Sequence, residues 1–344
     1  MSRGSAPKRC RKSVLILEFN DPMTEKNQKP FLSLALHPEY IALLSVRDST
    51  VQELGWRPFN PPLNPDILQN EPLFMEKIGN TFASLSESIA QKGTDLAIAV
   101  NGSMVIQKKI PVALGLDEEM IQSQMTWEAE QYLLSPLGNY SVTHLRLPFS
   151  TPSGNPIFLQ VLIRKQIVQM LRGFAKNSGL ILRDIDVDLF TNVRSVLANY
   201  DFDSQGTFVL VDVQLEHLVF IFIHQKEYFL SHRVGLQTDP KLKAANPSDI
   251  NKKLIKELRR LVFGHSLGKS IEDLEGLLLT GQNVIHDMLN ELKGMLSTEI
   301  LNPFRRISLS PMVKQSEVFV QSPEKFAASV GLALKRVPTL KTNP

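Results

Sequence analysis

The chain has 344 residues, 43% of them hydrophobic, and a formal net charge of only +3, enough apolar material for roughly two or three packed units. Its basicity is local, because Arg3, Lys8, Arg9, Arg11 and Lys12 crowd the first twelve positions and leave the rest slightly acidic. One cysteine, Cys10, excludes a disulfide framework or a multi-thiolate metal site within the chain, and no window approaches the run of about 20 apolar residues that crosses a bilayer.

Residues 1–29 mix charge with Ser, Pro and Asn and contain one short apolar burst, Val14 to Leu17. That burst is too short for a signal peptide, so the segment reads as a disordered basic extension of a cytosolic protein. Ordered structure is expected from Phe31–Leu36 and Tyr40–Val46, two strands joined by the turn His37-Pro38-Glu39. A Pro-rich loop from Pro58 to Pro72 leads to a helix over Leu73–Ala90, where Phe74, Ile78, Phe82, Leu85 and Ile89 recur at helical spacing. Asp95–Val100 is a fully apolar strand ending in Asn101-Gly102, and Met104–Ile110 leads away from it.

Asp117 to Leu134 reads as an amphipathic helix capped by Asp117, with Ile121, Met125, Ala129 and Leu133 in one row. The strands Ser141–Leu147 and Ile157–Ile163 and the helix Gln166–Asn177, closed by Gly179, complete a small α/β unit. The strand Leu180–Val187 and the helix Leu189–Asn199 follow. A second block opens with Thr207–Val213, His217–Ile223 and Tyr228–Val234, an antiparallel meander turning at Gln225-Lys226. It continues with a basic helix over Asp249–Phe263, a buried strand over Gly276–Thr280, and a helix over Asn283–Leu296 with Val284, Met288, Leu292 and Met295 on its inner side. A last helix spans Pro323–Arg336, its small residues Ala327, Ala328, Gly331 and Ala333 permitting close packing.

Several strings sharpen this outline. Leu96-Ala97-Ile98-Ala99-Val100-Asn101-Gly102 with Ile110-Pro111, the helix string Trp127-Glu128-Ala129-Glu130-Gln131-Tyr132, Gly179-Leu180 followed by Asp186-Val187-Asp188-Leu189-Phe190, Leu301-Asn302-Pro303-Phe304, and Val330-Gly331-Leu332-Ala333-Leu334 occur in that order. Together they resemble the PilM family of type IV pilus assembly proteins over about Phe31 to Arg336. The resemblance implies an α/β, actin-like (ribonuclease H-like) two-lobed fold related to that of the cell-division protein FtsA. It divides the chain into a first part of lobe I over 30–111, an inserted subdomain over 112–180, a return to lobe I over 181–203, lobe II over 204–322, a C-terminal helix over 323–336 packing back on lobe I, and a tail over 337–344.

Actin-like proteins hold ATP between two glycine-bearing hairpins, because glycine lets backbone N–H groups approach phosphate while an aspartate positions the metal. The first hairpin here has His37, Pro38 and Glu39 at its turn, with no glycine, a missing donor and an acid where phosphate would sit. The second keeps Asp212 but has Val213 and Gln214 after it and Glu216 in the turn, and the adenine-side glycine run is reduced to Gly281. Expected cofactors are therefore none, with ATP and magnesium bound only if the degenerate site of His37, Glu39, Asp212, Gln214 and Gly281 still grips them. No catalytic residue and no metal site is expected. His217, His224 and His232 are scattered by hairpin geometry, Asp184 and Asp186 read as a solvated strand end, and the cations of the helix from Asp249 read as a solvated face.

The resemblance further implies an adaptor. PilM-like proteins are understood to bind the short cytoplasmic N-terminal peptide of an inner-membrane protein, PilN, between the first lobe and the inserted subdomain. Carried to this chain, Trp127, Glu128, Glu130, Gln131 and Tyr132 become the candidate partner surface, and association with the inner membrane is indirect. The alternatives are an active actin-like ATPase of the same machinery and a GspL-like cytoplasmic component of a type II secretion system.

Overall fold

The computed structural model describes residues 17–18, 30–64, 67–68, 70–86, 93–236, 246–281 and 285–341. Within the segment expected to be a disordered extension, Leu17–Glu18 forms a short strand, β1, antiparallel to residues 184–185. The rest of 1–29 lies outside the described residues.

The chain then lays down β2 (Phe31–Leu36), β3 (Tyr40–Arg47) and β4 (Thr50–Pro58) as an antiparallel meander. β2 is buried on both sides, as a central strand must be. Leu32, Leu34 and Leu36 enter the main core, while Phe31 and Ala35 enter a second core on the opposite face. β4 is a strand that the sequence reading does not contain. Its turn, Asp48-Ser49, has φ of 50° and 56° at its two residues, the left-handed pair that a tight hairpin needs, supplied here without glycine.

Helix α1 (Glu71–Ser86) buries Phe74, Ile78, Phe82 and Leu85 as their spacing predicts, whereas Ile89 is outside the described residues. β5 (Asp95–Val100) runs parallel to β2. Next come β6 (Val105–Pro111), α2 (Glu118–Tyr132), β7 (Tyr140–Ser150), β8 (Pro156–Arg164) and α3 (Lys165–Asn177). β6, β8 and β7 pair in that order as a separate antiparallel sheet. The insertion therefore begins with β6, seven residues or so before the expected boundary at 112, because Val105 to Pro111 bond to β8 and not to the first lobe's sheet. The chain returns through β9 (Ile181–Val187), parallel to β5, and α4 (Asp188–Asn199).

The second lobe consists of β10 (Thr207–Val213), β11 (His217–His224), β12 (Glu227–Gly235), α5 (Pro247–Gly264), β13 (Gly276–Gly281), α6 (Ile285–Leu292) and β14 (Thr298–Ile300). Its sheet order, β12-β11-β10-β13-β14, repeats the first lobe's β4-β3-β2-β5-β9, with β1 added at the β9 edge. In both lobes three antiparallel strands are followed by two parallel ones. Because α6 ends at Leu292, Met295 falls off its inner row and is 55% exposed, contrary to the expectation from spacing.

Two short helices, α7 (Pro311–Lys314) and α8 (Glu317–Gln321), lead to α9 (Ala327–Arg336), which lies on the first lobe's sheet against α4. The small residues matter here. A Cβ on Gly331 would stand 1.7 Å from the Thr191 carbonyl oxygen, so the backbones of α4 and α9 touch at that point. The segment expected to be a tail is packed over its described part: Val337 and Leu340 are buried, and the Ser308 amide donates to the Leu340 carbonyl at 3.0 Å. Among the described residues no helix is long and apolar enough to cross a membrane.

Candidate functional site

The equivalent turns of the two lobes, between β2 and β3 and between β10 and β11, face each other across a cleft, and their side chains bind each other. His37 Nε2 lies 3.0 Å from Asp212 Oδ2, and both side chains are buried. The Gln214 amide nitrogen donates to the same Asp212 oxygen at 2.7 Å. Glu39 reaches over to accept a hydrogen bond from the Leu215 backbone N–H. All four degenerate-turn residues singled out from the sequence, His37, Glu39, Asp212 and Gln214, thus belong to one interlobe clasp.

Gly281 joins them at the end of β13. With φ of 111° it presents its backbone to β10, where a Cβ would meet the Val213 carbonyl oxygen at 2.3 Å and Asp212 Oδ1 at 2.7 Å. Its own carbonyl accepts from Lys325 Nζ at 2.8 Å. The Lys325 ammonium also lies over the rings of Trp56 and Tyr40, 4.9 and 5.3 Å from their centroids, and Tyr40 stacks on His37 at 4.2 Å. A buried lysine thereby closes the third side of the cleft.

The electrostatics follow from this burial. Desolvation disfavours a charged His37 ring, but the charge and hydrogen bond of Asp212, with Glu39 and Asp188 behind them, outweigh it, and the histidine pKa is raised. Burial raises the Glu39 carboxyl, against the pull of His37 and the Leu215 N–H. Lys325 is lowered by burial in spite of its acidic neighbours. Asp188, at the start of α4, is pushed up to about 7 by burial first and by Asp212 second, although it accepts from the Gly102 N–H at 2.8 Å and the Asn101 amide at 2.6 Å.

Backbone donors on both turns are engaged within the protein. The His37 amide donates to the Tyr40 carbonyl, Pro38 has no N–H, and the Glu39 amide donates to His37 Nδ1 at 3.2 Å. On the facing turn the Gln214 amide donates to the His217 carbonyl and the Leu215 amide to Glu39. The donors that would turn toward phosphates are used internally, and the space enclosed by His37, Asp188, Asp212, Thr280 and Glu324 is a cavity of about 20 Å³, room for about one water. A second interlobe cavity of about 90 Å³ lies beside it, lined by Asn101, Gln107, Asp188, Asp212 and Arg233 among others. Asp212 Oδ1 and Asn192 Oδ1 are buried without a hydrogen-bond partner, but among the described residues no group of three His, Cys, Asp or Glu gathers to hold a metal. His217, His224 and His232 instead bond to Arg233, Thr207 and Arg260 respectively.

Sequence reasoning does not find Asp188, Asn192, Glu324 and Lys325 as cleft residues. The one signal for the last two is a pair of charges, Glu324-Lys325, set before an otherwise small and apolar run. Asp184 and Asp186 also correct the reading. They are fully buried, and Lys335 Nζ lies 2.8 Å from Asp184 and 3.1 Å from Asp186, so this strand segment is not a solvated end.

The candidate partner residues on α2 divide between two environments. Trp127 is 58% exposed, and Glu130 and Gln131 are exposed beside it. Glu128 pairs with Lys108 at 3.4 Å, and Tyr132 donates to Gln160 Oε1 with Lys108 over its ring, so these two are tied to β6 and β8. Met120 and Trp127, seven residues apart on α2, are both exposed on one side of the helix, and Leu134, just past its end, is exposed too.

Two lobes with the same strand order, closing on each other through their first hairpin turns, define an actin-like fold. The model of the type IV pilus assembly protein PilM family matches residues 60–234, just over half of the chain, and the chain belongs to that family. Among solved structures, it is similar to a chain of a PilM–PilN type IV pilus biogenesis complex at 18% identity and a TM-score of 0.68, covering 89% of this chain and 98% of that one. It is also similar to a Bacteroides thetaiotaomicron protein with an actin-like ATPase fold (15% identity, TM-score 0.48, 83% and 95% covered) and to the cytoplasmic domain of EpsL, an inner-membrane component of the Vibrio cholerae type II secretion system (11%, 0.45, 89% and 95%).

Proposed function

We propose that the chain is a non-catalytic scaffold of a type IV pilus or related secretion machine. It works at the cytoplasmic face of the inner membrane and holds the short N-terminal peptide of a PilN-like membrane protein between the first lobe and the inserted subdomain. The observation that carries the non-catalytic half is the clasp: Glu39 takes the Leu215 N–H and His37 the Asp212 carboxylate of the facing turn, groups that an ATPase would need for phosphate and metal. The adaptor half is supported by family membership and by similarity to a chain of a PilM–PilN type IV pilus biogenesis complex. The exposed Trp127, Glu130 and Gln131 are its candidate contacts, an aromatic anchor with polar groups on either side.

Two measurements test it. Equilibrium dialysis with magnesium and ATP is expected to show no binding, and a micromolar dissociation constant would overturn the degenerate-site half. A pull-down with the full chain is expected to recover a single-span membrane protein with a short cytoplasmic N-terminus, lost in Trp127→Ala. Recovery of soluble metabolic enzymes alone counts against the adaptor half.

A further inference from the structure

We propose that the outer face of α5 docks the chain directly on an acidic phospholipid bilayer. The inner face of this helix is committed to the second lobe's core through Ile250, Leu254, Ile255, Leu258, Leu261 and Val262. At 100° per residue, Lys252, Lys256, Arg259 and Phe263 fall on one row about 16 Å long on the opposite side. All four are exposed, Phe263 at 79%.

The charge on this row is only partly compensated. Lys252 pairs with Asp249 at 3.1 Å in full solvent, where such a pair is weak. Glu257 is taken up by Arg260 on the flank at 2.7 Å. Glu272 lies near Arg259, its carboxyl held below the usual range by the Ser270 hydroxyl first and by Arg259 more weakly. Lys256 has no ion pair among the described residues.

A straight convex row of cations ending in a bare aromatic ring fits one kind of surface best. Anionic headgroups satisfy the cations over the whole row, and the apolar layer beneath them accepts the ring. Nucleic acid offers the phosphates without an apolar layer, and an acidic protein would need a socket placed for Phe263. The proposal does not rest on the PilN-like peptide reading, since protein-free vesicles test it.

The full chain is mixed with phosphatidylcholine vesicles with and without phosphatidylglycerol, and bound protein is read by co-sedimentation. Binding is expected only with phosphatidylglycerol and is expected to weaken as salt is raised. At about fivefold per cation, the triple variant K252Q/K256Q/R259Q should bind roughly a hundredfold less tightly, and F263A about tenfold less, each with an unchanged circular dichroism spectrum and melting temperature. Neutralising Arg3, Lys8, Arg9, Arg11 and Lys12 instead should leave binding within severalfold. No phosphatidylglycerol-dependent binding, binding that survives the triple variant, or binding abolished by the tail variant alone would each overturn the proposal. So would duplex DNA or polyglutamate competing equally with no dependence on Phe263, which would assign the face to nucleic acid or to an acidic protein.

Discussion

Lys335→Met should be the most damaging substitution of a charged residue outside the cleft. Lys335 lies at the last turn of α9 with its side chain 7% exposed, and it serves two fully buried carboxylates, Asp184 at 2.8 Å and Asp186 at 3.1 Å. Methionine fills much of the same volume, so the loss is electrostatic more than steric. Asp186 keeps Arg194 at 3.5 Å. Asp184 keeps only the weaker charge of Arg336: its oxygens have no hydrogen-bond partner besides the Lys335 ion pair, and burial already raises its pKa against the pull of Lys335 and Arg336. Breaking a buried pair from one side costs about 3–5 kcal/mol, and at roughly 2 °C per kcal/mol for a chain of this size the melting temperature should fall by about 6–10 °C.

The pH dependence separates this cause from a packing defect. Without the lysine, the folded-state pKa of Asp184 rises further above its unfolded value, so the folded state takes up a proton that the unfolded state does not. Stability then increases as pH falls through that raised pKa. Differential scanning fluorimetry of both proteins between pH 8 and pH 5 should show the gap narrowing toward pH 5. Asp184→Asn in the Lys335→Met background should recover much of the loss at pH 8. A gap of under about 2 °C, or one that is constant with pH, would refute the assignment of a buried charge cluster.

Three further expectations follow from the same geometry. Asp188, raised from 3.8 to about 7, binds its proton more tightly in the folded state, so its contribution favours folding below pH 4 and is lost as pH rises to about 7. Asp188→Asn removes that titration, though it also turns one of the two acceptor oxygens into a donor facing the Asn101 amide; its stability relative to the parent should shift in its favour by up to about 4 kcal/mol as pH rises through that window, at 1.36 kcal/mol per pKa unit, read as a melting-temperature difference that moves toward the variant from pH 5 to pH 8. His37→Gln removes a ring whose raised pKa adds stability fully present below pH 6.5 and lost as pH climbs through the folded value; its deficit should be larger at pH 6 than at pH 9 in chemical denaturation. Gly331→Ala places a methyl group 1.7 Å from the Thr191 carbonyl, which forces α4 and α9 apart and should cost several kcal/mol, seen as loss of soluble folded protein, while Ala333→Gly should cost only about 1 kcal/mol.

What the sequence discloses and what it hides follow from the range of the interactions. Periodicity is local, so the rows Phe74-Ile78-Phe82-Leu85 and Met125-Ala129 and the apolar strand at 95–100 are readable without a structure. Turn chemistry is local too, but the Asp48-Ser49 turn reaches a left-handed pair without glycine, and the strand after it, TVQELGWRP, keeps only Val51 and Gly55 buried, which is why β4 carries no clear signal. The cleft is different in kind. A turn reading His-Pro-Glu shows that one backbone donor is missing and that an acid stands in the turn; it does not say that the histidine has found an aspartate 175 positions away or that the glutamate caps the amide of Leu215. The same blindness makes Asp184 and Asp186 look solvated, since the lysine that neutralises them is about 150 residues downstream. Buried charges are legible only with their partners, and in this chain the partners lie on other elements: His37 and Asp212 join the lobes, Lys325 seals the cleft from the C-terminal segment, and Lys335 holds that segment to the first lobe. In this actin-like frame the first hairpin turns of the two lobes are joined by the chain's own buried side chains, so the relative placement of the lobes depends on groups that local sequence patterns do not reveal.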